Sequence, residues 1–295
     1  MIITKTIKAY AKINLYLDVT ARRSDGYHEI YSVMQDVSLF DYVTIIGNTD
    51  DTERSISIAC SDHTIPNDSR NIAYKCAAAF MEKWGIDRAV TINIDKRIPV
   101  AAGLAGGSTD GAAVIKLLSE IYGVNAPLSE MTAIAGSIGA DIPFCLTGGT
   151  CIAEGIGERL TPVDVSTPAY TILICNGGGG VATRTAYEEI DNLPKKSDKP
   201  DRRILLDNLR AGNIPTGLYN TFEEVILPRH KTAAELKRAL TECGAESAMM
   251  SGSGPSVFGI FKNSDDRDVA KLEINKRFPE VRTFACEPVK VKRAK

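Results

Sequence analysis

The run "PVAAGLAGGSTDG", from Pro99 to Gly111, sets glycines at 103, 106 and 107 ahead of two hydroxyl residues, Ser108 and Thr109. Glycine lets a backbone approach a ligand closely, and the first turn of a helix leaves unpaired N–H groups with partial positive charge. A loop of this kind leading from strand to helix suits a phosphate, and the Ser108 hydroxyl stands where an oxygen ligand for Mg2+ is wanted. Two further residues could complete phosphoryl transfer: Lys12, a charge inside the apolar strand "AKINLYL", and Asp141, placed between a helix ending in glycine and the apolar "IPF". Cation, carboxylate and phosphate cradle are together the parts of a kinase site. Each also has a plainer reading by itself: a tight glycine turn, an edge-strand lysine whose head reaches water, and a capping aspartate. "GLAGGST" satisfies neither G-x-x-x-x-G-K-[ST] nor G-x-G-x-x-G, so neither common nucleotide loop applies.

These residues need elements to carry them. From Ile2 to Ile46 the apolar residues alternate or run in short blocks, which predicts strands, with "SDGYH" at Ser24–His28 as a turn; "SISIAC" and "AVTINIDKRI" add two more. "NIAYKCAAAFMEKWG" and "STDGAAVIKLLSEIYG" carry the helical period and stop at Gly85 and Gly123. "LSEMTAIAGSIGAD" is a shorter helix, after which "PFCLTGGTCIAEGIGERL" is expected to return to strand. From about Tyr170 a second set begins with "YTILICNG", continues through "KTAAELKRALTECG" and "SVFGIFK", and closes on "VRTFACEPVKV". The polar "NLPKKSDKPDRR" reads as an exposed loop and the basic "VKRAK" as a solvated tail. The class is α+β with two domains, and no fixed-period repeat is visible.

Composition narrows the partners. With 295 residues, 44% of them hydrophobic, the chain can bury one large core or two medium ones. A net charge of −2 and a pI near 6.0 give no bulk attraction to nucleic acid or an anionic membrane, leaving a small-molecule ligand. Seven cysteines without a C-x-x-C pair resemble reduced core thiols. No apolar run reaches the roughly 18 residues of a membrane span, and the start carries no leader-like apolar segment. The expectation is a cytoplasmic protein, monomer or homodimer, with no nucleic acid and no membrane partner.

Three motifs, "AYAKINLYLDV", "PVAAGLAGGST" and "MMSGSGPSVFGIF", make the chain resemble the GHMP small-molecule kinases over nearly its whole length. The resemblance implies an ATP-dependent enzyme using Mg2+. It also implies a ribosomal-protein-S5-like N-terminal domain at 1–161, a ferredoxin-like C-terminal domain at 162–295, and an active site in the cleft between them. Lys12 and Asp141 match the family's catalytic pair. Pro99, Ala101, Gly103, Leu104, Ala105, Gly106, Gly107, Ser108 and Thr109 match its ATP loop, with Ser108 as metal ligand. "SDGYH" is similar to the branch whose substrate is a cytidine-diphosphate alcohol. On that match Asn14 lines the substrate pocket, Tyr27, His28 and Tyr187 hold the cytosine ring, and Ser253 and Gly254 border the site. Ala182, Ala105 and Thr109 depart from the residues usual in the family without removing a catalytic group. A relative acting on homoserine, mevalonate or a sugar, and a nucleotide-binding sensor without turnover, are the competing readings. The base clamp argues against the first and intact Lys12, Asp141 and Ser108 against the second.

Overall fold

Alternation along residues 2–48 produces two strands of 21 residues each, β1 (Ile2–Arg22) and β2 (His28–Asn48), with the expected turn between them. In this computed structural model the described residues are 1–50, 53–194 and 198–291. Lys195, Lys196 and Ser197 of the polar link and the basic tail from 292 lie outside them. The chain divides into two compact units. Unit 1 holds residues 1–11, 40–98 and 105–147, and unit 2 holds 12–39, 99–104 and 148–295. This division differs from a single sequential boundary at 161/162, because β1, β2 and the glycine loop each contribute residues to both units.

In unit 1, β3 (Ser55–Cys60) pairs parallel with β4 (Ala89–Asp95), which pairs antiparallel with β2 from Tyr42 to Gly47. The helices are α1 (Ile72–Lys83), α2 (Gly106–Ile121), α3 (Leu128–Ile138) and α4 (Ile142–Thr147). Asn71 starts α1 by accepting the Ala73 N–H at 2.9 Å, a cap worth about 1 kcal/mol. The helix buries Ala73, Cys76, Ala77, Phe80 and Met81, the spacing of a single face. α4 corrects the expectation of strand at "PFCLT". Five of its six residues, from Ile142 to Leu146, are buried, so the continuous apolar run reflects an enclosed helical turn, and the strand begins only at Thr150.

Gly111 explains how α1 and α2 approach so closely. A Cβ there would sit 2.7 Å from the Cys76 sulfur and 3.2 Å from an Ile72 methyl. Gly111→Val is therefore expected to lower unfolding free energy by about 1–3 kcal/mol through overpacking. The urea midpoint measures this, and an unchanged midpoint would show that the helices can part without cost.

In unit 2, β5 (Thr150–Gly155) pairs with β2 at Ile30–Gln35 and with β6 (Arg159–Pro162). β7 (Thr171–Asn176) follows, then α5 (Thr183–Asp191) and α6 (Arg202–Ala211). β8 (Tyr219–Asn220) runs parallel to β1 at Tyr16 and Leu17. After α7 (Glu223–Ile226) and α8 (Lys231–Glu242) come β9 (Ser247–Met250), β10 (Val257–Phe261), α9 (Ser264–Arg277) and β11 (Arg282–Cys286). These last strands form an antiparallel sheet in the order β11-β7-β10-β9, against which α8 and α9 pack. Its core joins Leu173, Leu236, Leu240 and Phe261 with Leu17 and Val19 of β1. All seven cysteines are free, six of them buried, and burial pushes the Cys76 thiol up to about 12. No helix among the described residues is long and apolar enough to cross a membrane.

Candidate active site

Lys12 lies on β1 in unit 2 and is only 4% exposed, so its ammonium needs polar company. Nζ donates to Asn14 Oδ1 at 2.8 Å. Asn14 Nδ2 donates to Ser32 Oγ at 2.8 Å, and Ser32 donates to the Tyr16 carbonyl at 2.7 Å. This chain of bonds holds the lysine head in one place. Asn14 thus reaches Lys12 directly, and Ser32, a serine enclosed in the apolar "IYSVM", completes the support.

The first half of the glycine loop belongs to the same unit. The Lys12 N–H donates to the Leu104 carbonyl at 3.1 Å, and the Ser251 hydroxyl donates to the Gly103 carbonyl at 2.9 Å. Gly103 takes φ +76°, and a Cβ on it would collide with the Ser251 carbonyl oxygen, so only glycine fits. Ser251–Ser256 closes on itself through Ser251 N–H to the Ser256 carbonyl at 2.9 Å, and Ser256 N–H reaches the Ala102 carbonyl at 3.3 Å. A Cβ on Gly252 would lie 3.5 Å from Lys12 Nζ, which sets the C-terminal glycine loop beside the lysine. Asn220, absent from the sequence reading, pins that loop by donating to the Met250 and Gly252 carbonyls at 2.7 and 2.9 Å. No local signal marks Asn220; only the strand pairing of β8 shows what it does. Ser253 shares a 2.9 Å hydrogen bond with Thr183, and the Gly254 N–H donates to the Ser251 carbonyl at 2.9 Å.

The second half of the loop lies in unit 1. Ala105, with φ 57°, precedes α2 without any side-chain cap, and the first helical bond runs from Thr109 N–H to the Ala105 carbonyl at 2.9 Å. The N–H groups of Gly106, Gly107 and Ser108 thus come before the intrahelical ladder, at the positive end of a 16-residue helix. Ala101, Gly103 and Ala105 all take positive φ, 51°, 76° and 57°. The half-buried Ser108 hydroxyl makes no hydrogen bond among the described residues. Pro99 is buried and Thr109 is 3% exposed. Asp141 opens α4, its carbonyl accepting the Cys145 N–H at 3.1 Å.

Behind α2 lies a buried charge cluster that sequence reasoning missed. Lys96 Nζ donates to Asp110 Oδ2 at 2.8 Å and to Asp41 Oδ2, while Asp41 Oδ1 accepts the N–H groups of Arg97 and Ile98 at 2.5 and 2.8 Å. Burial pulls the Lys96 ammonium down, but Asp110 and Asp41 outweigh it and the group is raised. Burial pushes Asp110 up, to about 7, against the pull of Lys96. Asp110 Oδ1 is buried and makes no hydrogen bond.

The residues expected to recognise a base fall in unit 2. His28 opens β2, 8% exposed, and stacks on Tyr187 of α5 with ring centroids 4.6 Å apart and planes 16° from parallel. Tyr27 is 60% exposed, with its N–H held by Asp25 Oδ1 at 3.1 Å. His28 and Tyr187 are therefore together, and the Tyr27 ring stands in solvent.

The model of the GHMP kinases N terminal domain matches residues 71–149, and that of the GHMP kinases C terminal matches 202–280. The chain belongs to the GHMP kinase family. It is 43% identical over 261 residues to the 4-diphosphocytidyl-2-C-methyl-D-erythritol kinase of Acetivibrio thermocellus, covering 88% of this chain and 90% of that one. Against the Clostridium beijerinckii protein of the same name, identity is 38% with 93% and 97% covered. A crystal structure of 4-(cytidine 5'-diphospho)-2C-methyl-D-erythritol kinase superposes with a TM-score of 0.79 at 29% identity, covering 96% of this chain and 98% of that one. Homoserine kinase from Cytophaga hutchinsonii shares the fold, with a TM-score of 0.72 at 16% identity, 97% of this GHMP kinase and 95% of that chain being covered.

Proposed function

We propose that this GHMP kinase transfers the γ-phosphate of ATP to the 2-hydroxyl of 4-diphosphocytidyl-2-C-methyl-D-erythritol, a step toward isoprenoid precursors that does not pass through mevalonate. The observation that carries the reading is identity of about two residues in five to kinases of that name along most of the chain. The stacked His28–Tyr187 pair, suited to a base, supports it.

In the proposed reaction the substrate hydroxyl oxygen bonds to the γ-phosphorus as the bond to ADP breaks, and Asp141 takes the hydroxyl proton. Lys12, steadied by Asn14, offsets negative charge developing on the phosphoryl group. The Gly103–Ser108 segment holds the phosphates, and Ser253 and Gly254 border the substrate. We retain 161/162 as the boundary between the family's two domains, on either side of which the two family models fall.

Among the described residues no group of three or more His, Cys, Asp or Glu could hold a metal. That suits an ion carried mainly by phosphate oxygens, with the Ser108 hydroxyl as one protein ligand. Mg2+ bound in this way would neutralise phosphate charge. Ser108→Ala is expected to raise the Mg2+ concentration for half-maximal rate, and an unchanged titration would remove Ser108 as a ligand.

The function itself is tested by phosphorylation of the cytidine substrate against its uridine analogue and against base-free methylerythritol phosphate. The cytidine compound should be used at least about 10-fold better, on the scale of one base stacked on aromatic faces. Equal use of the base-free compound would leave a GHMP kinase of another substrate.

A further inference from the structure

His28 contributes one ring nitrogen to the fold. Its Nε2 lies 2.7 Å from Oδ1 of Asp191, the last residue of α5, and Asp191 Oδ2 lies 3.4 Å from Nη1 of Arg22. The ring faces Tyr187, which in turn meets Phe222 edge-on at 4.9 Å. A carboxylate paired with a guanidinium only accepts, so the hydrogen between His28 and Asp191 resides on Nε2. In a neutral imidazole that assignment leaves Nδ1 with its lone pair. Nδ1 makes no hydrogen bond among the described residues, and it is not among their fully buried, unpartnered atoms.

We propose that Asp191 is a positioning residue for base specificity: it holds His28 as the Nε2–H tautomer, so that Nδ1 offers an acceptor to the substrate's base. This inference rests on the cytidine reading above. An acceptor at Nδ1 pairs with the exocyclic amine of cytosine and opposes the carbonyl oxygen that uracil carries in its place. Arg22 takes the second Asp191 oxygen and keeps the carboxylate turned to the ring. The stacking with Tyr187 fixes the plane in which Nδ1 points. The amine donor opposite the Nδ1 acceptor satisfies both groups, whereas two acceptors face to face leave both unpaired, which penalises the uridine compound by about 10- to 100-fold.

The test pairs ring nitrogen-15 NMR of the ligand-free protein with substrate discrimination. Three histidines, His28, His63 and His230, make the spectrum assignable by single substitution. Wild type should show His28 protonated at Nε2 alone, and a wild-type Nδ1–H signal would overturn the proposal without any variant. Asp191→Asn can donate its amide to Nε2, so the ring proton should move to Nδ1, and the cytidine-to-uridine ratio of kcat/KM should fall by about 10-fold or more, through KM rather than kcat. Asp191→Glu, which keeps a carboxylate, should keep the tautomer and recover most of the ratio. Wild type that prefers cytidine together with a folded Asp191→Asn of equal preference would sink this inference alone. Wild type that ignores the base would sink the cytidine reading and the specificity role with it, while the NMR result still reports which ring nitrogen of His28 carries the proton.

Discussion

Lys12→Met should lower kcat by about 10²- to 10³-fold, the loss seen when a preorganised donor to developing charge is removed. Lys12 is 4% exposed and its ammonium is tied through Asn14 and Ser32 to the Tyr16 carbonyl, so it is positioned before any ligand arrives. Methionine is apolar and of similar length. Asn14 keeps its bond to Ser32, and the fold should survive, as thermal melting will show. Lys12→Arg should not restore the rate, since a planar guanidinium cannot take up the place of a compact ammonium in so enclosed a position. Asp141→Asn is expected to lose turnover by about 10²-fold or more with ATP binding retained, because positioned proton transfer is gone. Steady-state kinetics on folded variants decides each case. A Lys12→Met enzyme of near-normal kcat would take the lysine out of the chemistry.

Lys96→Met carries the largest expected cost in stability. It leaves Asp41, fully buried, and Asp110, 3% exposed, without the cation between them. Removing one partner of a buried ion group costs about 3–5 kcal/mol, because the remaining charge stays desolvated. Asp41 would still accept from Arg97 and Ile98, so the damage should concentrate on Asp110 and the start of α2. Lys96 Nζ lies only 2.8 Å from where a Gly106 Cβ would be, so KM for ATP should rise along with the loss of stability. Adding Asp110→Leu should recover part of the loss by removing the stranded carboxyl. Denaturant unfolding of the single and double variants measures both effects. A double variant no more stable than Lys96→Met would show that Asp110 is not the stranded group.

The residues proposed for the chemistry were legible because each breaks a local pattern. Lys12 interrupts an apolar strand, the glycines of 103–107 cluster where a helix begins, and Asp141 stands at an element boundary. Family motifs then gave these residues roles. What escaped was their support. Ser32, Asn220, Asp191 and the Lys96 cluster occupy unexceptional places in the chain, and nothing within a few residues of them shows their partners. The expectation of strand at "PFCLT" failed for a related reason: an apolar run fits an enclosed helix as well as a strand, and only packing chooses between them.

Composition, period and motif alone thus determined the α+β class, the strand-to-helix glycine loop and the family, since all three are written in residues near one another along the chain. Only the tertiary structure decided that Asp191 meets His28 across 163 positions, that Gly103 lies under Ser251 across 148, and that Asp41 meets Lys96 across 55. Those pairings depend on strand register and helix docking. Their free energy comes from burying apolar faces such as that of Leu17, Leu173 and Leu236, and polar side chains carried on those faces meet the partners the packing brings them.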